Sequence, residues 1–305
     1  MDKLVEQLQQ QIPAWTGRVN AVEPLTGGIT NQNYKVTVAD EAFVVHVCAR
    51  NVAIHGINRQ IEVQCARAAA QIGVAPAVIA LLGNLPSGQE LFITRFIQAK
   101  TLTAAEVRSP ELLPQIVATL QRCHRLTAFA GHFDVFRIFE QGLAFARAQQ
   151  TPLPPFIDQV QAALQQIETA CQRHPVPQAA CHNDLLPANF LQDDDGCVWL
   201  IDWEYAGWGD PFFDLGNLSI NNEFDDAQDA ALLTAYFGAV TPTNLARLKL
   251  MKIVSDAREG IWAMVQRSLS ELDFDFVAYG NQHLERFITN CASAEAPQWL
   301  ATLQQ

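Results

Sequence analysis

The chain has 305 residues, 49% of them hydrophobic and 17% charged, which is far too apolar for disorder and enough for one large domain or two ordinary ones. Its formal net charge of −12 repels phosphate backbones and no Lys/Arg cluster offsets it locally, so no nucleic acid partner is expected and a cationic small molecule is favoured. The longest apolar runs, such as AAAQIGVAPAVIALLG, are broken by Gly and Pro well short of a bilayer span, and MDKLVEQLQQ holds no signal-like block, so the expectation is a cytoplasmic protein with no membrane partner.

In chain order, short strand-like runs come first. NYKVTV alternates, AFVVHVC is continuous and β-branched, and LFITRFI repeats that character, with turn residues between them. One helix interrupts the strands. It is predicted to start near Asn58 and run through RQIEVQCARAAAQI to Gly73, a helix-ending residue, with Pro76 soon after. Beyond residue 100 the helical period takes over. ELLPQIVATLQRCHRL predicts a helix opening at Leu113 with Pro114 at its first position. TPLPP at 151–155 reads as a loop, and Ile157, Val160, Leu164, Ile167 and Cys171 form an amphipathic stripe that packs a core. CVWLID is a short strand. The seven cysteines are odd in number, widely spread and never in a Cys-x-x-Cys pair, which argues against a disulfide framework or a zinc site and leaves them as small buried apolar residues.

The segment CHNDLLPANF, residues 181–190, mixes hydrogen-bonding groups with apolar anchors. Asp184 and Asn189 flank Pro187, so the segment is a loop whose two polar side chains can converge on one point. Asp202 follows at the end of CVWLID. A strand-end carboxylate facing a loop Asn and a loop Asp supplies hard oxygen ligands and one free carboxylate, the set that phosphoryl transfer with Mg²⁺ requires.

HNDLLPANF followed by LIDWEYAGWGDPFFDLGN resembles the paired signature of the choline/ethanolamine kinase family, within the aminoglycoside-phosphotransferase and protein-kinase-like superfamily. LTGGITNQNYKV, the helix bearing Glu62, RCHRL and DAREGIWAMVQ extend the likeness over most of the chain. The resemblance implies an α+β, two-lobed protein-kinase-like fold. Residues 1–97 would form a nucleotide-binding lobe with a small antiparallel sheet and one main helix, and residues 98–305 a larger, mainly helical lobe. It further implies an ATP- and Mg²⁺-dependent kinase acting on the hydroxyl of a small cationic alcohol such as choline or ethanolamine. Thiamine, an aminoglycoside, or a catalytically silent nucleotide-binding pseudokinase are the alternatives.

Residue by residue, the resemblance makes Asp184 the catalytic base, Asn189 and Asp202 the metal ligands, and His182 the anchor of the catalytic loop. Gly27, Gly28, Thr30 and Asn31 would form the flap over the nucleotide phosphates. The following strand should carry a basic residue that contacts the phosphates and pairs with Glu62; FVVHVCAR places His46 there, with Arg50 four residues on as the other candidate. On the acceptor side Trp262 would be an aromatic wall, Glu259 stands where the family has a second tryptophan, and Glu204 lies among the aromatics beside Asp202. Asp202 is followed by Trp-Glu rather than Phe-Gly, and DPFFDLGN arrives too soon to leave room for an activation segment, so the acceptor is expected to be a small molecule rather than a protein.

Overall fold

The computed structural model describes residues 2–25, 32–48, 52–83, 85, 88–270, 272 and 274–304. Gly27, Gly28, Thr30, Asn31 and Arg50 therefore lie outside the described residues.

Helix α1 (Asp2–Gln11) precedes strands β1 (Val19–Leu25), β2 (Gln32–Val38) and β3 (Glu41–Val47); helix α2 (Arg59–Gln71), β4 (Val78–Leu82) and β5 (Leu91–Arg95) follow. The strands form one antiparallel sheet in the order β1-β2-β3-β5-β4. Its alternating residues Val36, Val38, Phe43, Val45, Leu91 and Ile93 are buried in a core completed by Leu8 of α1 and by Trp15. Helix α1 carries no signal that the sequence reading caught. Helix α2 starts where its cap predicts: the Asn58 side chain accepts from the backbone N–H groups of Gln60 and Ile61, satisfying donors that a helix start leaves open.

The rest is mainly helical, around a second and larger core. Strand β6 (Ala99–Thr101) leads to α3 (Ala104–Val107), α4 (Leu113–His124), α5 (Val135–Ala148) and α6 (Ile157–Arg173). Then come four short strands, β7 (Ala179–Cys181), β8 (Phe190–Asp193), β9 (Val198–Leu200) and β10 (Gly207–Gly209). Strands β6, β8 and β9 make one small antiparallel sheet, and β10 pairs with β7. Helices α7 (Pro211–Asn221), α8 (Asp226–Phe237), α9 (Pro242–Leu269), α10 (Phe276–Cys291) and α11 (Ala296–Thr302) complete the chain. The fold is thus mixed α and β, an antiparallel N-terminal sheet followed by a helical C-terminal part. Among the described residues no helix is long and apolar enough to cross a membrane.

Helix α9 is buried on nearly all sides and carries Ser255, Asp256, Arg258 and Glu259 inside. The expectation that every cysteine is buried holds for five of the seven. Cys291 is half-buried and Cys197 is exposed, in the turn between β8 and β9.

Candidate active site

The loop after β7 is held by α7. Asp214 and Asn217 lie three residues apart, hence on one face of that helix. The Asp214 carboxylate accepts from the backbone N–H of His182 at 2.9 Å and of Asn183 at 2.6 Å, and Asn217 Oδ1 accepts from Leu185 N at 2.5 Å. Asp214 is itself fixed by His124 Nε2 at 2.8 Å, whose other ring nitrogen meets Tyr236 Oη at 2.6 Å. Asn217 donates to Ser255 of α9. Leu185 and Phe190 are fully buried on the apolar side. The loop's backbone is therefore braced by side chains rather than by a strand partner, which is why so polar a segment can be buried.

His182 is wholly buried, accepts from Asp184 N through Nδ1 and lies 2.9 Å from the carbonyl of Ile201 through Nε2. Both contacts are made by one neutral tautomer, protonated at Nε2. Burial lowers its pKa, and the ring links the loop to the strand end at Ile201. Asn183 and Asp202 adopt left-handed backbone with φ of 66° and 65°. Asn tolerates this conformation, and for Asp202 it marks the tight turn leaving β9.

Asn189 donates through Nδ2 to the backbone carbonyl of Asp184 at 2.8 Å and to its Oδ2 at 3.1 Å. That leaves the amide oxygen of Asn189 available and Asp184 Oδ1 buried without a hydrogen-bond partner. The Asp184 pKa is pushed up to about 7, first by burial and then by the neighbouring Glu259 and Glu204 carboxylates, against the pull of Arg258. Asp202 is raised well above its usual range by burial and by Glu204, Asp184 and Glu62. Carboxylates this close favour a proton or a cation between them. An amide oxygen and carboxylates are hard donors suited to Mg²⁺, so the residues present fit the ion that the sequence implies.

His46 does not pair with Glu62. Its Nδ1 lies 2.8 Å from Asn33 Oδ1, its ring stacks on Phe92, and burial with the nearby Arg59 lowers its pKa to about 4. The cation that meets Glu62 comes from the same helix: Arg59 Nη1 bonds Glu62 Oε2 at 2.7 Å and Glu204 Oε2 at 3.1 Å. All three side chains are buried, so α2 is tied through this pair to the loop after β9. The partner of Glu62 was expected on β3, whereas the first turn of α2 itself contains one, Arg59.

On the other side of Asp184, Arg258 Nη1 bonds Glu259 Oε1 at 2.5 Å and lies 3.6 Å from Asp184 Oδ1. Glu259 Oε2 accepts from Tyr279 Oη at 3.2 Å, so both oxygens of Glu259 are engaged. Trp262 is half-buried, edge-on to Phe276 and Tyr279, with the His55 ring 6.3 Å away. Of the residues lining the small cavity beside Trp262, Tyr205 stood among the aromatics near Asp202 and Arg258 beside Glu259 in the sequence, whereas nothing in the sequence pointed to His55. The structure thus gathers Asp184, Asn189, Asp202, Glu204, Glu62 and Arg59 around one acidic centre. His46 lies beside it uncharged.

Residues 21–250 match the family described as "Phosphotransferase enzyme family". The chain belongs to that family. Over 294 residues, 85% of this chain and 76% of the relative, this phosphotransferase is 24% identical to a probable ethanolamine kinase of Arabidopsis thaliana. Its fold matches that of a choline/ethanolamine kinase family protein from Mesorhizobium loti with a TM-score of 0.83 and 29% identity, covering 99% of this chain and 98% of the other. It also matches a structure of LicA in complex with AMP, at a TM-score of 0.77 and 23% identity over 99% and 98% of the two chains. The phosphotransferase is a small-molecule kinase.

Proposed function

We propose that this phosphotransferase moves the terminal phosphoryl group of ATP, with Mg²⁺, onto the hydroxyl of a small amino alcohol of the choline/ethanolamine class. The observation that carries the reading is Asp184 Oδ1, a buried carboxylate oxygen with no hydrogen-bond partner and the Arg258 guanidinium 3.6 Å away, on a loop braced through Asp214 and Asn217. A base held in this way needs little reorganisation to receive a proton from a hydroxyl placed against it.

Asn189 and Asp202 would hold Mg²⁺, which when bound neutralises charge on the nucleotide phosphates. Arg59 supplies on this side the positive charge that the neutral His46 lacks, and Glu204 holds it in the ligand-free protein. A pseudokinase reading would draw on His46 alone, and Arg59 removes that ground. The AMP complex of LicA is consistent with an adenine nucleotide here.

The acceptor side is read as the small cavity lined by Trp262, His55, Tyr205 and Arg258, where Trp262 supplies an aromatic ring that a cation can approach. His55 is buried with its pKa lowered to about 4 by burial and by Arg258. Its Nε2 and Tyr205 Oη are buried without partners. Both can accept from an ammonium N–H, and a trimethylammonium group offers none, so ethanolamine is favoured over choline.

The test is a screen of ATP consumption by purified protein against ethanolamine, choline, thiamine and aminoglycosides, with Asp184→Asn as control. Turnover is expected with an amino alcohol and is lost in the variant by a factor of about 10³ or more. Absence of turnover on every acceptor, or an unimpaired variant, refutes the assignment.

A further inference from the structure

Buried polar atoms without hydrogen-bond partners lie together on one side of the catalytic loop. Besides Asp184 Oδ1 they include Arg258 Nη2. Arg258 lies on α9, 3% exposed. Its guanidinium is fixed on three sides: Nη1 bonds Glu259 at 2.5 Å and lies 3.6 Å from Asp184 Oδ1, and Cζ sits 4.1 Å over the Tyr205 ring. With His55, Tyr205 and Trp262 it lines one small cavity.

A buried donor left unsatisfied carries its full desolvation penalty, larger when the group is charged, and a buried acceptor does likewise. Folded proteins seldom leave one of each side by side. A hydroxyl group removes both costs together, because it donates one hydrogen bond and accepts another. The hydroxyl-bearing molecule already required at Asp184 is the acceptor of the phosphoryl group.

We propose that Arg258 is a second substrate-contacting residue of the reaction, its Nη2 holding the oxygen of the acceptor hydroxyl while Asp184 Oδ1 receives the proton. This rests on the phosphotransfer reading above. The O–H bond breaks toward Asp184 and the oxygen bonds the terminal phosphorus of the nucleoside triphosphate. The bond from that phosphorus to its bridging oxygen breaks, and the nucleoside diphosphate leaves with the electron pair. The proton passes from Asp184 to solvent after product release. A guanidinium does not give up its own proton, so Arg258 orients the nucleophile and acts as neither acid nor base. Glu259 then binds no substrate itself: it holds Arg258 in place.

The experiment compares wild type with Arg258→Ala and Arg258→Lys, using the acceptor found in the screen. Nucleotide affinity is measured by equilibrium titration, and rates are measured with and without millimolar guanidinium. Arg258→Ala is expected to lose about 100-fold in kcat with nucleotide affinity within about threefold, and added guanidinium restores about tenfold of the loss. Arg258→Lys keeps the charge but cannot span Glu259 and the hydroxyl, and falls between the two; it carries the test if the alanine variant does not fold. A kcat within about threefold of wild type in either soluble variant overturns the proposal. So does a loss that guanidinium leaves unrepaired and that comes with loss of nucleotide binding.

If wild type phosphorylates no alcohol in the screen, the acceptor assignment fails by itself. The Arg258 proposal is then read on ATP hydrolysis, where water is the attacking hydroxyl and the same loss and rescue are expected. Equal hydrolysis by wild type and variant overturns it, and a wild type that hydrolyses nothing counts against both.

Discussion

Arg59, rather than the strand residue His46, makes the pairing with Glu62 that the sequence led one to expect on β3. His46 is neutral beside Asn33, whereas Arg59 carries its charge between Glu62 and Glu204. A buried cation bridging two carboxylates can exchange one of them for a phosphate oxygen at small electrostatic cost. Arg59→Ala is therefore expected to raise the nucleotide KM about tenfold or more, the equivalent of one charge-assisted hydrogen bond, and His46→Ala to change it less than about threefold. Steady-state kinetics at varied ATP check this, and the reverse order returns the role to β3. The grouping of Asp184, Asn189 and Asp202 was legible because they sit within one loop and the β8–β9 hairpin that follows it. Arg59–Glu204 and Arg258–Asp184 were not, because they join segments far apart in sequence that only the folded chain brings together, and no local pattern records such a pair.

Where elements cross, small residues decide how closely the catalytic loop is held. A Cβ at Gly216 on α7 would lie 2.6 Å from the backbone carbon of Met251 and 2.7 Å from Lys252 N on α9. Backbone cannot rotate aside, so Gly216→Ala must push the helices apart and carry Asp214 and Asn217 with it. Overpacking of this kind costs about 1–3 kcal/mol. The expectation is a lower melting temperature together with lost turnover, and a variant that melts and works like wild type refutes the account of loop bracing. At this scale the sequence served unevenly. Helix α2 announced its start through Asn58, and α6 through its stripe. Helix α9 showed no clear face, because α5, α7 and α10 surround it and leave it buried on nearly all sides with charges inside.

Across the molecule, the charge imbalance of the site is also a stability statement. The Asp184 pKa rises from 3.8 to about 7 on folding, so between those values the folded chain holds a proton that the unfolded chain has released. The stability this contributes is complete below the lower value and is lost as pH rises through the upper one. Asn at this position stays neutral throughout. In metal-free protein the melting temperature of Asp184→Asn relative to wild type is therefore expected to climb from about pH 4 to about pH 8, following the same linkage. A pH-independent difference between the two refutes it. Three strands of the N-terminal sheet, helices α2, α4 and α6 and the loop at 181–190 followed from residue patterns, whereas the acidic centre drawing on α2, the loop after β9 and the turns around it emerges only in three dimensions.

Cys197 gives this molecule a practical handle. Four of the other cysteines, Cys48, Cys65, Cys171 and Cys291, have thiols pushed up to between about 11 and 12, chiefly by burial. Burial likewise raises Cys123 and Cys181 well above the usual thiol range. Cys197 alone is exposed, at the tip of the β8–β9 hairpin with its N–H on Asp193, so an alkylating dye would label the native chain at one place. That hairpin starts next to Asn189 and ends two residues before Asp202. A fluorophore there would report the arrival of metal and nucleotide as a change in emission, in wild type and in chemically dead variants alike, with no turnover needed.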